Sequence, residues 1–99
     1  MTNVLRRLQD WYKSNCNDDW EHSYGISIQT LDNPGWIVKV DLQETDLETL
    51  QFARQFQSST DENDWFTCKI QDGSLAIACG PENLEQVLTI FLDEIVERP

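Results

Sequence analysis

Histidine occurs once in the 99 residues, as His22, and the three cysteines, Cys16, Cys68 and Cys79, are an odd number without paired spacing. A zinc site wants about four ligands, usually from recurring Cys or His pairs, so a metal centre is disfavoured and no cofactor is expected. The same cysteine pattern gives no disulfide framework and points to reduced thiols in the cytoplasm. Glycine is scarce at four residues. No Gly-rich phosphate loop, Walker lysine or nucleophile-elbow serine is present, which removes the usual signatures of nucleotide binding and of hydrolases. No apolar run is long enough for a membrane span, and the opening Met-Thr-Asn-Val-Leu-Arg-Arg lacks a signal-peptide core. Bases are few: seven Lys and Arg against eighteen Asp and Glu give a formal charge of −11. That balance opposes nucleic-acid phosphates and anionic membranes and favours a cationic partner, although it also serves solubility.

What is present suffices for one folded domain spanning residues 1–99. The chain is 39% hydrophobic and 10% aromatic, unlike a disordered sequence. Val4, Leu5, Leu8, Trp11 and Tyr12 recur at helical spacing, with Thr2 or Asn3 able to cap the start. Tyr24, Ile26 and Ile28 alternate as a strand, and Trp36, Val38, Val40 and Leu42 alternate as its return. Asp32-Asn33-Pro34-Gly35 between them reads as a turn in which proline presets one torsion and Gly35 takes a positive one. The segment 45–58 is ambiguous. Thr45-Asp46-Leu47-Glu48 fits a capping box and Phe52 and Phe56 are four apart, as in a helix, yet Leu50, Phe52, Arg54 and Phe56 also fit a two-residue period, so the residues alone leave helix and strand open. Phe66, Cys68 and Ile70, the Asp72-Gly73 turn, and Leu75, Ile77 and Cys79 make a second hairpin. Ala76 and Ala78 face the other way, where small side chains suit a closely packed helix. Gly80-Pro81-Glu82 opens the last helix, with proline at its first position. Leu84, Val87, Leu88, Phe91, Leu92 and Ile95 form its apolar stripe, and Glu82, Glu85 and Arg98 match its dipole. The expected class is α+β: a two-layer domain with an antiparallel sheet of about five strands between N-terminal and C-terminal helices.

The polar, aromatic stretch around Cys16–His22 is too acidic for a core strand and too aromatic for a plain linker. Glu21 and His22 together admit a small enzyme using a general base, but a hydrogen-bonded structural histidine is the simpler reading and a partner-facing histidine the next. Cys68 and Cys79 fall on buried strand faces, and Cys16 is flanked by acids that disfavour a thiolate. Asp18, Asp19 and Glu21 form one acidic loop; Asp61, Glu62 and Asp64 form another. If both lie at the same end of the sheet, they make one acidic surface. Trp20 and Trp65 are candidate interface anchors, because tryptophan buries large area with few rotors, whereas Trp11 belongs to the core. The partner-binding candidates are therefore Asp18, Asp19, Trp20, Glu21, His22, Asp64 and Trp65.

Several words along the chain are specific. Trp11-Tyr12, Asp19-Trp20-Glu21-His22-x-Tyr24-Gly25 and Thr30-Leu31-Asp32-Asn33-Pro34-Gly35-Trp36, followed by Asp64-Trp65, Gly80-Pro81-x-Asn83-Leu84 and Phe91-Leu92, resemble the immunity 53 family of bacterial polymorphic-toxin systems. The resemblance implies a small cytoplasmic protein that binds and neutralises a cognate toxin without catalysis, and it favours a turn at Thr45–Glu48 followed by a strand near Gln51–Ser58. The charge suggests a basic toxin, with a nuclease the leading choice, and no nucleic acid or membrane as partner. An acidic adaptor for some other basic protein is the alternative outside enzymology.

Overall fold

The computed structural model describes residues 3–97. Helix α1 spans Val4–Asn15, and its start is capped by Asn3, whose Oδ1 accepts from the Leu5 amide at 2.8 Å. Thr2, the other proposed cap, and Arg98, the proposed partner of the last helix dipole, lie outside the described residues. A one-turn helix α2, Trp20–Ser23, leads into strands β1 (Ile26–Leu31) and β2 (Gly35–Asp41). After a loop of turns come β3 (Ala53–Gln57), β4 (Trp65–Gln71) and β5 (Ser74–Cys79). Helix α3 covers Leu84–Ile90 and runs on as a π-helical segment, Phe91–Val96.

The five strands form one antiparallel sheet in the order β1-β2-β5-β4-β3. The α+β class and both hairpins read from the alternation are therefore present. One face of the sheet buries Val38, Val40, Phe66, Cys68, Ile70, Leu75, Ile77 and Cys79. Leu8 and Trp11 of α1, Val87 and Leu88 of α3, and Phe91 and Ile95 of the π segment complete this core. Trp11 meets the Phe91 ring edge-on at 5.0 Å. Arg7 pairs with Asp93 at 2.7 Å and with Glu97, which ties α1 to the π segment.

The structure corrects four expectations of shape. Ala76 and Ala78 face away from the helices, not toward them: α1 and α3 pack on the Leu75–Ile77–Cys79 side, where burial of large side chains is greater. Proline does not start the last helix. Pro81 and Glu82 sit in a turn closed by the Asn83 amide on the Gly80 carbonyl at 3.2 Å, and α3 begins at Leu84. The second half of that apolar stripe is π-helical rather than α-helical. Finally, Gly35 does not supply a positive torsion. The turn holds a cis Asn33–Pro34 bond, and Gly35 is the first residue of β2. It is glycine because a Cβ there would overlap the carbonyl oxygen of Cys79 on the neighbouring strand. In the second hairpin, by contrast, Asp72 and Gly73 take φ values of 55° and 77°, as a tight two-residue turn requires.

The ambiguous 45–58 segment resolves as turns followed by β3. Thr45 accepts the Leu47 amide at 3.1 Å and donates to the Leu42 carbonyl at 2.7 Å. The capping-box residues are thus used to close a turn. Leu47 fills the core beneath it at 1% exposure.

Candidate functional site

The loop before α2 is built by its own side chains. Asn17 Oδ1 accepts the Asp19 and Trp20 amides at 3.0 and 2.9 Å. Both Glu21 carboxylate oxygens accept amides, from Asn17 and from Asp18, each at 2.9 Å. Backbone hydrogen bonds, led by Glu21's own amide, hold the Glu21 carboxyl below the usual carboxylate range. Asp18 occupies the left-handed region at φ 71°, which a short acidic residue tolerates better than most. This geometry leaves Asp18, Asp19 and His22 exposed.

Trp20 is the pin of the loop. It is 2% exposed, its indole N–H donates to the Gln43 carbonyl at 2.8 Å, and its ring meets Trp11, Tyr12 and Tyr24 with centroids 6.1, 5.8 and 6.3 Å apart. The expectation of Trp20 as an interface anchor is therefore corrected: a face this well packed has no area left for a partner. The structural role expected of His22 belongs to Trp20 instead. Among the described residues no hydrogen bond to the His22 imidazole is found.

By joining α2 to Gln43, Trp20 places two acidic loops side by side. Asp18, Asp19 and Glu21 come from one, and Asp41, Glu44, Asp46 and Glu48 come from the segment that leaves β2. Tyr24, half-buried, packs beside the Trp20 ring next to the second of them. Its phenol is pushed up first by burial and then by Glu44, Glu48 and Asp41, so these carboxylates share one neighbourhood. Asp41 also holds the strand entry, accepting the Gly25 amide at 3.0 Å. Lys39 is the sole Lys or Arg between Asn17 and Leu50, and its register opposite Ser27 and Ala76 puts it on the uncovered sheet face.

Asp61, Glu62, Asp64 and Trp65 do not join this surface. Trp65 begins β4, opposite Gln57 at the end of β3, whereas Trp20 and Asp41 lie at the end where β2 leaves and β5 begins. A seven-residue strand, about 20 Å at ~3.3 Å per residue, separates the two. The expected single surface from both loops is thus divided between opposite ends of the sheet. Asp64 is moreover engaged structurally: its Oδ1 accepts Asn83 Nδ2 at 2.9 Å, which fastens the loop to the start of α3. Trp65 is half-buried, and Trp36 donates its indole N–H to the Pro81 carbonyl at 3.1 Å. The carboxylates that sequence reasoning passed over are those of 41–48. Their density was visible, but their place beside Asp18 depends on the Trp20–Gln43 bond, 23 residues apart.

The Glu21 oxygens are occupied by amides, and among the described residues no group of three or more His, Cys, Asp or Glu is placed to hold a metal ion. The thiols of Cys68 and Cys79 are buried in the sheet, whereas Cys16 opens the acidic loop itself. Burial pushes the Cys68 thiol up to about 11 and raises that of Cys79, while half-exposed Cys16 donates to the Tyr12 carbonyl at 3.3 Å. In the native protein a thiol reagent should therefore modify Cys16 first and reach Cys68 and Cys79 only on unfolding. Mass spectrometry after timed labelling checks this, and rapid native labelling of Cys68 would contradict its burial.

The site is thus an acidic surface on a small α+β scaffold. The family model described as immunity protein 53 matches residues 5–97, and the chain belongs to that family. Immunity proteins act against toxins and are generally non-catalytic. Searches of curated proteins and of solved structures returned no match. Among the described residues no helix is long and apolar enough to cross a membrane.

Proposed function

We propose that the protein neutralises a cognate toxin in the cytoplasm by binding it, without catalysis, and that the acidic end of the sheet is the docking face for a basic toxin domain. The observation that carries this reading is that, in an immunity family member, the Trp20–Gln43 hydrogen bond fastens the acidic loop of Asp18, Asp19 and Glu21 to the acidic segment 41–48, three of whose carboxylates, Asp41, Glu44 and Glu48, act on Tyr24. Asp18, Asp19 and His22 are exposed on the first loop, and Glu44 and Glu48 on the second. Glu21 and Trp20 support the face from behind, one by fixing the loop and the other by fixing its position. A surface of one sign raises the encounter rate with an oppositely charged partner and discourages wrong ones. A nuclease toxin fits this best, since an enzyme that binds nucleic acid carries basic groups an acidic inhibitor can cover. Asp64 and Trp65, at the far end, form a secondary contact at most.

The enzyme alternative would need Glu21 as a base, but each of its oxygens already accepts a backbone amide, which lowers its basicity. The adaptor alternative differs only in the partner. Expression of a cognate toxin, with and without the protein, tests the proposal. Growth should be rescued, and the two proteins should co-purify in equal amounts. Rescue by turnover, with no complex formed, would sink it.

A further inference from the structure

Strand β1 is a free edge of the sheet, and it is undefended. Its residues, Ile-Ser-Ile-Gln-Thr-Leu, include no charge, no proline and no bulge, the devices that normally keep an edge from pairing with another strand. The rest of the chain is a quarter charged, so the gap is local. The helix beside this edge adds an apolar strip. Leu8, Gln9 and Tyr12 line an apolar cavity of about 340 Å³ with Gly25 and Ile26, and Leu5 lies on the same face of α1 one turn earlier. Of the five large hydrophobic side chains that are exposed among the described residues, three border this seam: Leu5 at 57%, Tyr12 at 38% and Ile28 at 38%.

We propose that two copies of this chain pair through β1, antiparallel across a two-fold axis at Ile28, joining their sheets into one. Two independent parities select that register. The Asp41 amide donates to the Gly25 carbonyl at 3.0 Å, and with Ile26 opposite Val40 the alternation of an antiparallel ladder directs Ser27, Gln29 and Leu31 to β2. Ile26, Ile28 and Thr30 therefore turn their amides and carbonyls to the open edge. Residues directly opposite share a sheet face, so both helix layers stay on one side only if residues of like parity meet. Centring the axis on Ile28 satisfies both conditions: Ile28 faces its copy, Ile26 faces Thr30, and each pair exchanges two hydrogen bonds. The same register brings the two Ile28 side chains together on the helix side.

Charge permits this partner. The repulsion implied by −11 per copy is concentrated away from the seam, since β1 is neutral and α1 carries Arg6, Arg7 and Lys13 against Asp10. The opposite edge is less suited, because β3 carries Arg54, paired with Glu94 and set over the Phe66 ring at 5.8 Å. The pairing does not depend on the toxin reading.

Sedimentation velocity on the full chain, from micromolar to millimolar concentration, should show mass rising from the 11.5 kDa of one chain to twice that value and no further. Ile28→Lys should hold it at one chain with an unchanged circular dichroism spectrum, and Phe56→Lys on the other edge should leave the dimer intact. Hydrogen exchange gives a readout without substitution: the Ile26, Ile28 and Thr30 amides should slow with concentration, while Ser27, Gln29 and Leu31 stay protected throughout. A monomer at every concentration, a dimer indifferent to Ile28→Lys, or assemblies larger than two would each overturn the pairing. So would a monomer whose Ile28→Lys variant loses toxin binding, which would give the edge to the toxin instead.

Discussion

Replacing Trp20 with alanine should cost the protein about 3–5 kcal/mol of stability, the range for removing a large buried aromatic side chain. The ring is packed among Trp11, Tyr12 and Tyr24, and its loss opens a cavity that those rigid neighbours cannot fill. It also leaves the part-buried Gln43 carbonyl without its indole donor. Trp20→Phe separates the two contributions. It keeps most of the packing and removes the N–H, so its cost should be nearer 1–2 kcal/mol, the value of one hydrogen bond plus some misfit. Equilibrium unfolding in guanidinium reads both. An alanine variant within half a kcal/mol of the parent, as expected of an exposed residue, would return Trp20 to the surface. The loop is held to Gln43 by this one side chain, so the alanine variant should also weaken toxin binding, through the loop rather than through a lost contact.

Gly35→Val should be comparably damaging, for a reason local to two strands. The Cα of Gly35 passes so close to the Cys79 backbone that any side chain must push β2 and β5 apart. This is the central strand pair of the sheet, with Val38 and Ile77 fully or nearly fully buried on it. Overpacking of this kind costs typically 1–3 kcal/mol and more when backbone must move, and about 3 kcal/mol or above is expected here. Gly25→Ala is the control. A Cβ there meets nothing within 4 Å, and the Gly25 φ is not positive, so the change should be neutral or slightly stabilising. Thermal melts of the two variants decide the matter. Equal tolerance at both positions would mean the β2–β5 approach is not as tight as described.

Gly35 also illustrates what a sequence can show. Asp-Asn-Pro-Gly is a strong turn signal, and a turn is there. The chemistry of its glycine, however, is set by a strand more than forty residues away, which no local pattern carries. The same division runs through the molecule. Alternation in 36–42, 66–70 and 75–79 located the strands and their buried faces, because a two-residue period is a local consequence of the pleat. Which side of the sheet the helices take is not local, and small Ala76 and Ala78 were therefore assigned to the wrong side. The acidic character of 18–21 and 61–64 was legible. That the two loops lie about 20 Å apart along the sheet, and that 41–48 replaces the second one, follows from strand order and from the Trp20–Gln43 bond. Trp20 itself sits among acids in sequence, which disguised a core residue as a surface one.

The central claim is that the acidic end of the sheet docks a basic toxin. Association kinetics of the cognate pair, measured at low and at physiological salt, test it most directly. Exposed charges steer over roughly 10 Å at 0.1 M ionic strength, so association should slow markedly as salt rises. Reversal of Asp19, Asp46 and Glu48 to lysine, which leaves the left-handed positions Asp18 and Glu44 untouched, should slow it further, on the order of tenfold or more at low salt, with the variant's melting temperature near that of the parent. Reversal of Asp61 and Glu62 at the far end should change it much less. Rates indifferent to salt and to the first reversal, or sensitive only to the second, would contradict the account.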